Sequence, residues 1–373
     1  MNANAHWLDE RRAEAANRFA ALGLPHRRIE DWKYSDLKSA LDGANDDGAV
    51  AWTVGTLPEG VELFDLSNAS AAPDWVKAHL GTLPQNAMAS ASLAQARTGF
   101  ALRAPKGRAI AQPLSLTFAG HGTVRGLVVL EDGAALTLIE IGPGVGISNL
   151  GVEIVVGANA QLTHIRMAPH AGAAVQVEEY AATIARDGRY CAHLFNGGSK
   201  LSRAEFQIAL AGTGASAHLS GVSVLGDGAH ADVTTHIVHA VGHTTSTQLF
   251  KHVAGGKSRA VYQGRITVEQ GADKSDSRQT AKALLMGERA EADLKPELEI
   301  FADDVKCAHG AAVGDLDANS LFYLRARGIP EAEARNMLVR AFLEEAVDEI
   351  ADETIRASVW QAVEDALPKA MQP

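Results

Sequence analysis

Residues 130–141 read LEDGAALTLIEI, in which a turn containing glycine is followed by a run of alternating apolar side chains. The same arrangement returns in VVGANAQLTHIRM (155–167) and in LAGTGASAHLSGVSVL (210–225). A period of two residues rich in Val, Ile, Leu and Thr indicates β-strands, and glycine is typical of the turns between them. We therefore predict a long succession of short strands from about residue 110 to 305.

The order of these strands narrows the choice of fold. No helical pattern lies between them, which excludes a βαβ fold. Two architectures remain: a β-sandwich or barrel, and a β-solenoid in which successive coils stack on one another. The strand region is long for a single sandwich, and its turn glycines recur at irregular intervals that suit stacked coils. The sequence therefore favours the solenoid, whose open ends need caps.

Helical patterns flank the strand region on both sides. Residues from about Trp7 to Leu22 place apolar side chains at three-to-four spacing, and residues 73–84 are a second helix candidate. On the other side, Asp317 is placed to cap a helix that ends near Arg327. We divide the chain into an N-terminal helical domain, a β core and a C-terminal helical domain, with the bounds 1–95, 96–314 and 315–373.

A later helix, which follows Pro330, has an unusually wide apolar surface. Its apolar residues, from Ala334 to Ile350, spread over roughly 220° of the circumference, whereas packing on one neighbour needs a stripe of ~100°. Two explanations fit this pattern. The surface is buried between other helices of the same chain, or it is a docking face for another protein.

Composition excludes several classes of protein. The formal charge of −11 argues against a nucleic-acid binder, because phosphate affinity depends on clustered Lys and Arg. The two cysteines, Cys191 and Cys307, form neither a disulfide framework nor a zinc array, which suits a reducing compartment. Asp9, Glu10 and Glu14 occupy the place of a signal-peptide core, and no later apolar run is long enough to span a bilayer. We expect a cytoplasmic protein without a membrane partner.

The sharpest candidate site is in ELEIFADDVKCAHG (297–310), where His309 follows Cys307 by two residues. In a strand, residues two apart share a face, so the thiol and the imidazole would be side by side. Both groups are metal ligands, yet two ligands do not complete a tetrahedral site. A partner chain or a transient metal ion would have to supply the rest.

Other titratable residues of the strand region give weaker signals. Asp303 and Asp304 would face opposite directions in a strand, which makes them a poor acid/base pair. Six histidines lie between residues 218 and 252, without the cysteines or the HExxH helix of a zinc site. We expect these histidines to be ordinary surface or core residues.

Three longer segments carry a family resemblance. LPHRRIEDWKYSDL (24–37), FKHVAGGKSRAVYQGRITVEQGA (250–272) and LLMGERAEADLKPELEIFADDVKCAHGAAVG (284–314) resemble, in the same order, the SufB/SufD family of the SUF iron–sulfur cluster assembly system. Members of the SufB branch have an essential cysteine where this chain has Ala290. The chain is therefore more similar to the SufD branch.

The resemblance implies a right-handed parallel β-helix between an N-terminal and a C-terminal helical domain. It also implies a scaffold or accessory subunit, not an enzyme, that pairs with SufB through the β-helix, or with a second copy of itself in isolation. No cofactor would be held permanently; an iron–sulfur cluster would form transiently at the interface with SufB, with His309 as a transient metal ligand beside Cys307. The C-terminal helices would dock the SufC ATPase through Phe322, Tyr323, Arg325, Arg327, Leu338 and Phe342.

Two other functions are alternatives to this expectation. A β-helix enzyme acting on polysaccharides would need aromatic residues to stack on sugars, but Phe, Trp and Tyr make up only 5% of the chain and few lie in the strand region. The other rival is a homodimeric structural protein without metal chemistry. A stable complex with SufB and SufC is required only by the SUF hypothesis.

Overall fold

The computed structural model describes residues 6–42, 51–142 and 146–371. Its centre is a β-solenoid of about eight turns, here called coils. In chain order the strands are β1 (Ala51–Val54), β2 (Glu62–Asp65), β3 (Thr98–Ala104), β4 (Leu114–Ala119), β5 (Gly122–Leu130), β6 (Ala135–Ile141), β7 (Ile147–Val156), β8 (Gln161–Ala168), β9 (Val175–Ile184), β10 (Arg189–Asn196), β11 (Leu201–Leu210), β12 (Ser216–Leu225), β13 (His230–His239), β14 (Thr245–Ala254), β15 (Arg259–Val268), β16 (Asp276–Leu285), β17 (Glu291–Ile300) and β18 (Lys306–Gly314).

These strands form two sheets of nine strands each. Sheet A contains β1 and the even-numbered strands from β4 to β18, and sheet B contains β2 and the odd-numbered strands from β3 to β17. From β3 onward, consecutive strands thus lie in opposite sheets, and each strand from β3 to β16 pairs in parallel with the strand two positions later. This topology confirms the predicted solenoid and excludes the sandwich, because Greek-key sandwiches are built from antiparallel pairs.

Alternation along each strand decides which side chains enter the core between the two sheets. In β8, Leu162 points inward, whereas Ile165 points outward into a separate apolar cluster. The interior is filled by buried side chains such as Phe100, Phe206 and Tyr262. Full burial of an aliphatic or Phe side chain contributes roughly 1.5–3 kcal/mol, so the stacked interior is the main source of stability.

The glycines between strands are required by the stacking of the turns. Gly133, Gly214 and Gly228 have φ angles of 69°, 79° and 71°, a region that disfavours other residues. A Cβ atom on Gly214 would also lie 2.1 Å from Oδ1 of Asp187 in the preceding turn. The predicted glycines therefore allow the loops of successive coils to pack closely against one another.

The N-terminal helices cover the outer face of sheet B. They are α1 (His6–Leu22), α2 (Leu37–Ala40), α3 (Asp74–His79) and α4 (Ala87–Gln95). Leu8, Val76 and Leu93 pack with Leu127 and Val129 of β5 in one apolar cluster. The N-terminal region is not entirely helical as expected, because β1 and β2 lie within it and pair antiparallel with β4 and β3. These two strands cover the edges of the first coil.

Residues 30–35, here called the N-terminal strap, cross the outer face of sheet B. The strap contacts four consecutive strands of that sheet, through Trp32 with Arg203 of β11, Ser35 with Asp232 of β13, Asp31 with Arg265 of β15, and Glu30 with Lys295 of β17. The guanidinium carbon of Arg203 lies 4.1 Å from the centroid of a Trp32 ring, and Ser35 is fully buried. The strap thus connects the N-terminus to the last coil.

The C-terminal helices are α5 (Ala318–Ala326), α6 (Glu331–Val347) and α7 (Glu353–Ala370). Asp317 caps α5 by accepting a hydrogen bond from the Ser320 backbone N–H, as predicted. Val339 and Leu343 of α6 are buried together with α7 against outward-facing residues of sheet A. Most of the wide apolar surface of α6 is therefore buried within the chain. None of the helices in the described residues is long and apolar enough to cross a membrane.

Candidate functional site at the open end of the solenoid

The last coil of the solenoid is its least covered part. β17 is the final strand of sheet B and β18 the final strand of sheet A, and no further strand of the described residues pairs with either one. Every residue of β18 except Cys307 is exposed. At 62% exposure Phe301, which follows β17, adds an apolar side chain to this end. An uncovered edge presents unpaired backbone N–H and C=O groups to another chain.

The register of β18 fixes where its side chains point. Cys307 pairs with Ser277 and His309 pairs with Gln279 of β16. Both β16 residues are buried in the solenoid interior, and paired residues in a parallel sheet face the same side. Cys307 and His309 therefore share the inner face of the last strand, as the two-residue spacing predicted. His309 is exposed, and Cys307 is half-buried.

Electrostatics keep the thiol of Cys307 protonated. Burial raises its pKa, and the negative charge of Asp276 raises it further, although a hydrogen bond from the Ser277 backbone acts in the opposite direction. A thiol is a poor metal ligand until it loses its proton. Cys307 would therefore coordinate an ion only if binding of the ion displaced that proton.

The donors at this end do not complete a metal site on their own. Within residues 6–42, 51–142 and 146–371, no three His, Cys, Asp or Glu side chains lie close enough together to hold a metal ion. The nearby carboxylate of Asp304 forms an ion pair with Lys274 instead. Cys307 and His309 thus offer two donors, and a metal ion bound there would need further ligands from outside the described residues.

Beneath the open end the solenoid interior is polar, which the sequence analysis did not anticipate. Gln248 accepts hydrogen bonds from Tyr262 Oη at 2.9 Å and from Thr235 Oγ1 at 2.5 Å. Gln279 is 1% exposed, directly below His309, and a Cβ on Gly264 would lie 2.0 Å from its Nε2. The sequence signal for this is the appearance of Ser246 and Gln248 at inward positions of β14, where the preceding strand of the sheet, β12, has Ala217 and Leu219.

The predicted docking residues fall into two groups. On α5, Phe322 is 73% exposed and Tyr323 is 56% exposed. Arg327 stacks 4.7 Å from the Tyr323 ring centroid. On α6, Leu338 and Phe342 are half-buried, and Phe342 lies under the Lys251 ammonium of β14. Arg325 of α5 pairs with Glu331 at the start of α6, at 3.2 Å. The two aromatic rings on α5 are therefore the most accessible part of the predicted surface.

Comparison with known proteins identifies the family. A family model described as "SUF system FeS cluster assembly, SufBD core domain" matches residues 119–342, and one described as "SufBD protein N-terminal region" matches residues 1–47. The iron–sulfur cluster assembly protein SufD of Escherichia coli is 30% identical, over 93% of this chain and 90% of that protein. A SufBD family protein of Synechocystis is 27% identical over 95% of this chain and 90% of its own length. The SufD protein of Bacillus subtilis is 30% identical over 64% of this chain and 56% of its own length. The chain therefore belongs to the SufBD family of iron–sulfur cluster assembly proteins.

Proposed function

We propose that this chain is a non-catalytic scaffold subunit whose open end pairs with a SufB-type solenoid, and that His309 is a ligand of the iron–sulfur cluster while it forms there. The observation that carries this proposal is the last coil, where Cys307 and His309 lie on an unpaired strand and provide only two donors. Iron and sulfide are cargo of this site, so the open end keeps no permanent cofactor.

Backbone geometry favours a strand as the partner of the open end. The N–H of Lys306 donates to the Ser275 carbonyl at 2.9 Å, so Lys306 and alternate residues after it bond to β16. The N–H groups of Cys307, His309 and Ala311 therefore point away from the sheet and are free to pair with a second chain. Addition of a strand to such an edge is a common mode of protein recognition.

The side chains at this edge define what the partner must contribute. A neutral imidazole nitrogen is a good ligand for ferrous iron, and the thiol of Cys307 becomes one when iron displaces its proton. A partner strand that bears a cysteine thiolate opposite His309 would bring the third donor. The position that carries a cysteine in the SufB branch is Ala290 here, which suits a division of ligands between the two subunits.

The C-terminal helices connect the same site to an ATPase of the SufC type. Phe322 and Tyr323 on α5 form an exposed aromatic pair, the kind of anchor that contributes most to protein interfaces. Only residues 315–317 separate β18 from α5. A rigid-body movement of α5 on ATP binding would therefore act directly on the strand that bears His309.

Strand pairing is tested by mixing the chain with SufB and SufC proteins and measuring complex formation by size-exclusion chromatography. Ala311→Pro removes an outward N–H without removing a bond to β16, and we expect it to abolish the complex. Ala311→Val keeps that N–H and is the matched control, so its complex should elute unchanged. Pairing through β18 is wrong if both variants form the complex equally well.

The ligand role of His309 is tested separately on the assembled complex. His309→Ala should leave the complex intact and abolish cluster formation, followed by the visible absorption of the cluster. His243→Asn is the control, because it removes an exposed imidazole from a turn of the same solenoid and asparagine tolerates the φ angle of 59° found there. Full cluster formation by the His309 variant would refute its role.

A further inference from the structure

The tripeptide Cys-Ala-His occurs twice in the chain, at 191–193 and at 307–309, and it includes both cysteines. Both copies lie in sheet A, in β10 and in β18, but they face opposite sides. Cys191 pairs with Thr163 and His218, whose side chains lie on the outer face. The second copy points to the inner face of the last coil. The outward copy has no part in the function proposed above.

The outward copy opens into a cleft of about 540 Å³ between sheet A and the loop that joins α6 to α7. The walls include Ile165 and Ile350, and the polar residues that line the space include Thr163, Arg189, Cys191, His193, His218 and Glu349. A thiol, two imidazoles and a carboxylate line this cleft together.

Hydrogen bonding fixes which nitrogen of His193 is available. The hydroxyl of Ser220 donates to the Ala346 carbonyl at 3.2 Å, so it must accept from Nδ1–H of His193, 2.7 Å away. Nε2 of His193 then carries a lone pair. Burial, with a smaller contribution from neighbouring His218, lowers the pKa of His193 to about 3, in agreement with a neutral ring.

His218 has a matching arrangement. Its Nδ1 contacts the hydroxyl of Thr247, and its Nε2 lies 3.3 Å from Oε2 of Glu349. The ring centroids of His193 and His218 are 5.8 Å apart. In metal sites, histidine ligands typically have one nitrogen held by a hydrogen bond so that the other is directed at the ion. His193 has this form, whereas in His218 the second nitrogen faces the Glu349 carboxylate, from which a bound ion would have to separate it.

We propose that this cleft binds a divalent transition-metal ion through Nε2 of His193 and of His218 and through the sulfur of Cys191, with Glu349 as a fourth ligand. Thiolate and imidazole are donors that select ions of the Zn²⁺, Co²⁺ and Fe²⁺ group over Mg²⁺ and Ca²⁺. On binding, the Cys191 thiol transfers its proton to solvent as the sulfur–metal bond forms, so one proton is released for each ion.

Small movements are needed to close this site. The described residues contain no three such donors already at metal-binding separation, so Cys191 and Glu349 must turn toward the imidazoles. Glu349 is exposed and lies in the loop before α7, and Cys191 is half-buried. An ion held there would fix the α6–α7 loop against sheet A, at a place remote from the open end.

The test is an anaerobic titration of the full chain with Co²⁺, an ion whose visible absorption reports tetrahedral geometry and whose near-ultraviolet band reports a thiolate ligand. We expect both bands to saturate at one ion per chain. Cys191→Ser should abolish the thiolate band and weaken binding at least about tenfold, the lower end of the 10–100-fold loss typical of damage to a metal site. Cys307→Ser, the same substitution in the other tripeptide, should leave the first equivalent unchanged.

A second variant shows whether a loss of Co²⁺ binding comes from the loss of a ligand or from misfolding. His218→Gln should weaken Co²⁺ binding while the thermal unfolding midpoint without metal stays within a few degrees of that of the parent chain. Absence of both bands at saturating Co²⁺ would overturn the proposal, and so would loss of the thiolate band in Cys307→Ser with its persistence in Cys191→Ser. The titration uses the isolated chain, so failure of SufB pairing would not affect it.

Discussion

The two ends of the solenoid differ in whether another strand covers their edge strands. At the first coil, β1 and β2 pair antiparallel with β4 and β3 and so cover both sheets. At the last coil, β17 and β18 remain without such a cover in the described chain, and the interior beneath them contains the polar side chains of Gln248 and Gln279. One end is therefore covered by the chain itself, whereas the other has an edge that no strand of the described residues covers.

The largest expected effect compares equivalent leucines at the two ends. Leu102 of β3 is fully buried in the first coil, whereas Leu298 of β17 is only half-buried. Leu102→Ala should lower the free energy of unfolding by about 3 kcal/mol, and Leu298→Ala by less than about 1 kcal/mol, because large-to-small losses scale with burial. Urea unfolding of the isolated chain measures both. Equal losses would mean that the last coil is already covered, for example by a second copy.

Acid should destabilise the solenoid through a histidine that is buried near its open end. His252 of β14 is buried in the solenoid, and burial lowers its pKa from 6.5 to about 4. Unfolded chains bind a proton at this histidine below about pH 6.5, whereas the folded protein does not until about pH 4, so its contribution to stability is complete above pH 6.5 and declines toward pH 4. At pH 5 the loss attributable to this residue is about 2 kcal/mol.

His252→Gln removes this titration, so the stability of the variant should fall less between pH 7.5 and pH 5 than that of the parent chain. Urea midpoints at the two pH values give the comparison. His243→Asn, which removes an exposed histidine, should retain the parent's pH dependence. If the two variants respond to acid alike, burial of His252 is not the cause.

The smallest effect on stability is expected at α5. Replacing Phe322 and Tyr323 together by Ala should change the free energy of unfolding by less than about 0.5 kcal/mol, because both rings are exposed. The same double variant should lose binding to a SufC ATPase in a pull-down. Leu57→Ala, which removes an exposed apolar residue near the first coil, should affect neither. Retained ATPase binding by the double variant would show that α5 is not the docking surface.

Sequence patterns were sufficient to predict features that depend on near neighbours in the chain. Alternation and glycine spacing predicted the coil, and Asp317 predicted the start of α5. The spacing of Cys307 and His309 predicted that they share a face, which β18 confirms. Each of these features depends on residues only a few positions apart.

Contacts between distant segments could not be predicted from local sequence patterns. Cys191 and His218 are neighbours only because β10 and β12 pair in a particular register, which no local pattern reveals. The same reason explains why β1 and β2 were missed within a region expected to be helical, and why the apolar surface of α6 left two explanations open. The pairing of β1 and β2 and the burial of α6 each depend on which distant strands lie next to them in the folded chain.

The N-terminal strap has a further consequence for how the molecule comes apart. Solenoids usually hold together through contacts between adjacent repeats, so they can fray from an unprotected end. Residues 30–35 reach from β11 to β17, which makes separation of the last coil from the others conditional on releasing the N-terminus. The strap therefore opposes fraying of the one end of the solenoid that has no covering strand in the described residues.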